Sequence, residues 1–430
     1  MKVVITPKKL HGTVTIPSSK SMGHRHLICA ALANGETVVE NVSPSQDLAA
    51  TCRVLRLLGA EIETAAAPRP AQRTLHIRGG LRRRNSALFA DCGESGSTLR
   101  FLIPLALASG NTVTFSGSGR LAERPLQPYY DLFNARRICC QKNDAGLPLT
   151  VRGELTPGYY ALPGNVSSQF FTGLLFALPL LPGDSVLHST TALESASYVE
   201  LTLACLRQYG VGVEKSGNDT FHITGNQVYQ PGRYQVEGDF SQAAFWLAAA
   251  AIGEAILCSG LTEHSRQGDA VILDILSNMG GDVRRTAQGI QSLPTRTRGC
   301  IVDVADCPDL APVLTALAAC STGTTQIVNA GRLRFKECDR LHAMATELNS
   351  LGADIEEEKN GLVIHGVPFL HGGTVSAWND HRVAMALAVA SQRAVNTVVI
   401  DGAESVAKSY PQFWRDFQRL GGTIRQEGSR

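Results

Sequence analysis

Hydrophobic and polar positions follow one another in a block that recurs six times along the chain. Each block opens with a short polar cluster, continues as an Ala- and Leu-rich run, turns, and ends in a β-branched stretch. The clusters are Ser18-Ser19-Lys20-Ser21, Glu94-Ser95-Gly96-Ser97, Ser167-Ser168-Gln169, Asp239-Phe240-Ser241-Gln242, Cys307-Pro308-Asp309 and Asn379-Asp380-His381-Arg382. Ser, Asp and Asn accept hydrogen bonds from the unpaired N–H groups of a first helical turn, so each cluster predicts a helix start. The β-branched stretches at residues 37–42, 112–115, 185–188, 325–328 and 397–400 predict strands, and residues 1–17 read as one strand.

A second pattern runs in phase with the first. The segment LRLLGAEI (55–62) recurs as LRQYGVGV, ILSNMGGDV, LNSLGADI and FQRLGGTI, with a degenerate copy LFNARRI at 132–138. Aligned on Gly59, Ala135, Gly210, Gly280, Gly352 and Gly421, the copies stand roughly 69–76 residues apart, longer than common solenoid periods. Each copy predicts the end of an amphipathic helix, a glycine cap and a strand. Ala135 departs from the rule, so the second copy must cap differently. The chain is therefore six similar α/β units. They divide three and three, because the fourth begins near mid-chain with no Gly/Ser/Pro linker before it.

At 430 residues, 44% hydrophobic and 18% charged, the composition is that of an ordinary globular protein too long for one core. A net charge of +2 and sparse aromatics argue against nucleic acid or membrane as partner. No apolar run of about 18 residues predicts a membrane span, and residues 1–17 lack the features of a signal peptide. The 11 cysteines are scattered without a CxxC pair. This points to a reduced, cytoplasmic protein without a disulfide framework or metal site.

Cations gather at the helix starts and on loops after strands: Lys20, Arg25, Arg100, Arg124, Lys336, Arg340, Arg382 and Lys408. A single surface Lys or Arg is usually only solvated. Recurrence beside helix N-termini, each worth roughly 0.3–1 kcal/mol toward an anion, predicts an anion site. Some clusters need do no more than begin a helix; for Asp239 to Gln242, capping accounts for the residues equally well.

Eight stretches in order carry a family resemblance: SSKSMGHRHLICAALA, RLAERPLQP, NVSSQFFTGLLFALPLL, SYVELTL, VEGDFSQAAFWLAAA, FKECDRL, NDHRVAMALAVA and AKSYPQFW. Together they cover nearly the whole chain, which resembles the shikimate-pathway enolpyruvyl transferases. The resemblance implies an α/β, two-domain enolpyruvyl transferase fold, each domain made of three βαβαββ units (an inside-out α/β barrel). It places residues 1–17 with 237–430 in one domain and 18–236 in the other, with the active site in the interdomain cleft. The implied reaction transfers the enolpyruvyl group of phosphoenolpyruvate to the 5-hydroxyl of shikimate 3-phosphate. The expected protein is a monomer that uses no metal or organic cofactor and closes on its acceptor.

On the matching positions, Ser21, Arg25, Ser167, Ser168, Ser195, Tyr198 and Lys336 look like shikimate 3-phosphate contacts. Lys20, Gly96, Arg124, Gln169, Arg340, Arg382 and Lys408 look like the phosphoenolpyruvate side, with Lys20, Gln169 and Asp309 also near the acceptor. Asp309 and Glu337 look like the catalytic base and acid, assisted by Lys20 and Lys408. Two substrates carrying roughly −5 to −6 between them need such a cation supply. Arginine forks suit carboxylate and phosphate bidentately.

Asp309 also reads as a helix cap, and Glu337 as a surface partner for Arg340. Glu94 stands where many relatives carry Asn, which puts sensitivity to the phosphoenolpyruvate mimic glyphosate in doubt; Glu94 must point away or serve a nearby cation. Arg332 receives no site role, and His24, His26 and the run Arg82–Arg84 read as packing or solvated residues. Two rivals remain. A UDP-N-acetylglucosamine enolpyruvyl transferase would carry a reactive cysteine within residues 116–125 and Lys-Asn where this chain has Lys20-Ser21. A non-catalytic anion-binding repeat protein would tolerate Asp309→Asn and Glu337→Gln.

Overall fold

Strand Lys2–Thr6 and strand Gly12–Thr15 belong to different sheets, so the first 17 residues supply two strands where one was expected. Pro7 lacks an N–H for the ladder and separates them. The computed structural model describes residues 1–65 and 72–428. The chain forms two compact units: a terminal unit of Met1–Ser19 and Glu237–Arg430, and a central unit of Lys20–Val236.

The described part of the central unit holds α1 (Lys20–Leu32), α2 (Gln46–Leu58), α3 (Gly96–Ala108), α4 (Gln127–Ala135), α5 (Ser168–Ala177) and α6 (Ala196–Gln208). The terminal unit holds α7 (Phe240–Ile252), α8 (Ile272–Asn278), α9 (Ala311–Ala319), α10 (Arg340–Ser350), α11 (His381–Ala390) and α12 (Phe413–Arg419). Every residue of α7, α9 and α11 is buried, and α1, α3 and α5 are buried on nearly all faces. Their Ala- and Leu-rich composition explains this: a helix apolar all round has no face to offer water.

Each unit carries three four-stranded mixed sheets among its described residues. In the sheet beside α3, Leu88–Asp91 runs parallel to Val113–Ser116, which pairs antiparallel with Leu149–Arg152, then Cys139–Lys142. Strands distant in sequence complete other sheets. Arg233–Gln235 lies parallel to Glu36–Val42 in the central unit. In the terminal unit, Lys2–Thr6 pairs antiparallel with both Val398–Asp401 and Thr423–Glu427. Gly12–Thr15 lies parallel to Ile256–Ser259.

The glycines of the second pattern serve as expected. Gly59, Gly210, Gly280, Gly352 and Gly421 all have positive φ just past a helix. In the odd copy Ala135 is the last residue of α4, and the left-handed position falls on Arg137 at φ 58°. The Ile138 N–H then reaches Phe133 O at 2.8 Å, as the Ala60 N–H reaches Leu55 O at 3.1 Å. The copies thus share one cap geometry, aligned on Arg137 instead of Ala135, at a cost of roughly 1–2 kcal/mol for the missing glycine.

Candidate active site

In the central unit, α1, α3 and α5 begin with the polar clusters. Ser95 Oγ accepts the Thr98 N–H, and Ser167 Oγ accepts the Gln169 N–H. These caps fix where the next side chains point. Lys20 Nζ pairs with Asp47 Oδ2 at 2.9 Å, from the first turn of α2. Gln169 Nε2 donates to Ser97 Oγ at 3.0 Å, and its Oε1 accepts from Arg100 Nη1 at 2.7 Å. Arg100 Nη2 donates to Pro125 O at 2.9 Å and so holds the loop that carries Arg124.

Gly96 is buried where α3 starts, and a Cβ there would clash with Arg124 Nη1 while standing 3.4 Å from Arg100 Nη1. The absence of a side chain lets the Arg124 guanidinium lie over the helix start. Gly96→Ala is expected to displace Arg124, costing one charge-assisted contact of about 1.5–3 kcal/mol. If Arg124 meets an anionic substrate, as the resemblance implies, the KM for that substrate should rise about 10- to 100-fold with kcat little changed. Steady-state kinetics would decide; an unaltered KM would leave Gly96 a purely structural residue. The Glu94 carboxylate lies against Gly119, within the loop that leads to Arg124.

A second group in the same unit links α1 and α6. Arg25, only 2% exposed, donates from Nε to Thr202 Oγ1, from Nη1 to Ser21 O and from Nη2 to Tyr198 O. Ser195, at φ 54°, accepts the Tyr198 N–H through its carbonyl. Arg25 therefore gathers Ser21, Ser195 and Tyr198 at one place. His24 is buried against Thr51 and the edge of Phe101, and burial followed by Lys20 and Arg25 holds its pKa well below the usual value. It is a neutral packing residue; His26 is buried too, while Arg82–Arg84 are exposed.

The terminal unit collects the remaining candidates around Asp309. Its Oδ1 lies 3.0 Å from Arg340 Nη1 and 3.7 Å from Lys336 Nζ, and its Oδ2 lies 2.8 Å from Arg382 Nη2. Asp309 lies inside the short helical turn Pro308–Leu310, whose cap position is Cys307, so the cap reading does not hold. Burial alone would push its carboxyl pKa up; Arg382, Lys336 and Arg340 outweigh burial and hold it well below the carboxylate range. Burial lowers the Lys336 ammonium to about 8, aided by Arg340 and opposed by Asp309.

Arg340 is 2% exposed and spreads its fork over three carboxylates: Asp380 at 2.8 Å, Glu337 at 2.7 Å and Asp309 at 3.0 Å. Glu337 is thus a partner of a buried arginine and not a surface ornament. Asp380 also accepts the Arg382 N–H at the start of α11. Asp239 caps α7 at Gln242, whose Nε2 donates to Ser409 Oγ beside the buried Lys408. Ser241 bridges Arg382 and Asp269, whose pKa is pushed up to about 6 by burial and Asp309. Trp378 and Asn379 both adopt left-handed backbone, φ 51° and 53°, a costly conformation found where a site demands it. Lys408 Nζ donates to the Asn379 carbonyl at 2.5 Å.

Two constellations result, one in each unit. The central unit holds Lys20, Ser21, Arg25, Gly96, Arg124, Ser167, Ser168, Gln169, Ser195 and Tyr198 at the starts of α1, α3, α5 and α6 and on the loop after residue 116. The terminal unit holds Asp309, Lys336, Glu337, Arg340, Arg382 and Lys408. Sequence reading gave no orienting role to Asp47, Arg100, Asp269 or Asp380, although it named Arg100 among the clustered cations. Arg100 and Asp380 stood in or beside the quoted clusters. Asp47 reads as an ordinary acid in a first helical turn. Asp269 carries no sequence signal.

The family model of EPSP synthase (3-phosphoshikimate 1-carboxyvinyltransferase) matches residues 4–417. The 3-phosphoshikimate 1-carboxyvinyltransferase of Clostridium kluyveri is 50% identical over 427 residues, spanning 98% of each chain. That of Clostridium acetobutylicum is 48% identical over 425 residues, 99% of this chain and 98% of its own. The solved EPSP synthase of Acinetobacter baumannii superposes with a TM-score of 0.80 at 27% identity, covering 99% of this chain and 100% of that one. With six repeated α/β units, cation-rich helix starts and a family match across nearly its whole length, the chain belongs to the EPSP synthase family.

Proposed function

We propose that the protein transfers the enolpyruvyl group of phosphoenolpyruvate to the 5-hydroxyl of shikimate 3-phosphate and releases phosphate. The observation that carries this reading is the Asp309 cluster: a carboxylate and an acid, Glu337, held among Lys336, Arg340 and Arg382. A purely anion-binding protein has no use for two carboxylates that compete with its ligand for those cations. The rival acceptor, UDP-N-acetylglucosamine, is disfavoured because residues 116–125 contain no cysteine.

The mechanism is addition followed by elimination. Asp309 takes the proton of the 5-hydroxyl, and Glu337 protonates the methylene carbon of phosphoenolpyruvate. The oxygen bonds to the electron-poor carbon to give a tetrahedral intermediate, and loss of phosphate together with one proton of the new methyl group, returned to Glu337, leaves the enol ether. A carboxylate held far below its usual pKa is a poor base, since proton transfer is most effective with a pKa near the operating pH. The arrangement suits a base switched on by substrate. Phosphoenolpyruvate draws Arg340 and Arg382 toward its own charges, and Asp309, relieved of them, gains basicity where the hydroxyl waits.

Lys336, Ser21, Arg25, Ser167, Ser168, Ser195 and Tyr198 hold the acceptor. Lys20, Gly96, Arg124, Gln169, Arg340, Arg382 and Lys408 hold phosphoenolpyruvate. Because these residues come from both units, the proposal requires the units to close on one pair of substrates. Small-angle scattering should therefore register a smaller radius of gyration with shikimate 3-phosphate than without, and an unchanged radius counts against closure. The protein acts as a cytoplasmic monomer in this reading.

The deciding experiment is phosphate release from phosphoenolpyruvate with shikimate 3-phosphate or UDP-N-acetylglucosamine as acceptor. Turnover with the first alone supports the proposal; turnover with the second alone, or with neither, ends it. The Lys336 ammonium adds a pH test. Its pKa near 8 in the fold means that it is charged at pH 7 and loses its charge as pH rises through about 8. The kcat/KM for shikimate 3-phosphate should fall along that limb, and Lys336→Arg, charged to beyond pH 12, should shift the limb upward. A limb that stays put in the variant assigns it to another group.

A further inference from the structure

The all-buried helices of the terminal unit have a second end. Past the last turns of α7 and α9 lies a cavity of about 700 Å³, lined among others by Lys9, Thr295, Arg296, Thr322 and Arg393. The volume falls in the range of small-molecule sites. α7 is 13 residues long, so its far end stands about 20 Å from the helix start that Asp239 caps. The cavity is thus separate from the Asp309 cluster within the same unit.

Its lining contains three cations and no acid; Glu254, beside Gly253 in the chain, is not part of the wall. Basic side chains near a helix C-terminus commonly serve the free carbonyls there. Here backbone N–H groups already occupy two of them: Thr295 N–H on Ala251 O and Val367 N–H on Ala319 O. Arg393 donates to Pro368 O at 2.7 Å, whereas Lys9 and Arg296 make no hydrogen bond or ion pair among the described residues. The Thr295 hydroxyl oxygen is buried beside them with no hydrogen-bond partner. Concave shape, uncompensated positive charge and an unsatisfied hydroxyl coincide at one place.

We infer that this cavity is a second anion site, which takes a compact polyanion bearing phosphate or several carboxylates, held by Lys9, Arg296 and Arg393 with the Thr295 hydroxyl as an additional donor. Charge-assisted contacts of this kind are strong because both partners are ionised. The site is independent of the proposed transfer reaction, since none of its residues belongs to that machinery.

Calorimetric titration of the full chain with inorganic pyrophosphate, and separately with citrate, tests it against the double variant Lys9→Gln/Arg296→Gln. Both side chains are exposed, so the substitutions leave the fold intact. Two classes of site are expected in the parent for at least one probe. In the double variant one class should weaken at least tenfold while phosphate release without added polyanion stays within about twofold. Binding of pyrophosphate but not citrate identifies a phosphate site; the converse identifies a polycarboxylate site. Superimposable isotherms for the two proteins, or a single class in the parent, overturn the inference.

Discussion

Asp309→Asn is expected to lower kcat about 10²- to 10⁴-fold, the usual contribution of a general base, while phosphoenolpyruvate binds at least as tightly as before. The second half of that statement comes from the geometry. Asp309 pairs with Arg340, Arg382 and Lys336 in the absence of substrate. Asn is neutral and nearly isosteric, so the three cations it faces remain in place with one resident anion fewer, while Glu337 and Asp380 still hold Arg340. A loss of kcat with an unchanged or lower KM is the signature of an interaction spent on the chemical step. Steady-state kinetics together with direct binding of phosphoenolpyruvate would measure both quantities. A large rise in KM would instead make Asp309 a positioning residue for the arginines. Full activity would leave the carboxylate without a role in turnover.

Arg340→Met should destabilise the terminal unit by about 3–5 kcal/mol, the cost of removing one partner from a buried ionic cluster. Three carboxylates, those of Asp309, Glu337 and Asp380, would be left close together, one of them fully buried. Arg340→Lys should recover only part of the loss, because a single ammonium cannot satisfy acceptors on three sides of a planar fork. The protein supplies its own probe: Trp246, Trp378 and Trp414 all lie in the terminal unit. Urea unfolding followed by tryptophan fluorescence therefore reports that unit alone. A midpoint shift of less than the equivalent of about 1 kcal/mol would show the cluster to be held by other contacts.

Much of this was legible in the sequence because it depends on local chemistry. Ser95, Ser167, Asp239 and Asp380 were readable as helix starts since a cap acts on N–H groups two or three residues away. The six blocks survived as six sheets with their helices because periodicity records which residues face the core. Non-local features were harder to see. The strand expected over residues 1–17 became two, since its partners lie more than 200 residues away. Arg137 replaced Ala135 as the aligned cap because only backbone torsion distinguishes them. Asp269 and Asp47 act through bonds that close across the fold, to Ser241 and Lys20, and no spacing announces such a pair.

The interrupted course of the chain bears on how it is made. Residues 20–236 form one continuous stretch of sequence whose described strands all find partners within it, so this half can assemble while synthesis continues. Strand Lys2–Thr6 has no such option, because both of its neighbours lie about 400 residues downstream. At roughly 5–20 residues per second, it spends on the order of 20–80 s outside the ribosome with two bare edges. Its short length and the lysines that follow it, Lys8 and Lys9, suit a segment that must stay unpaired for that long.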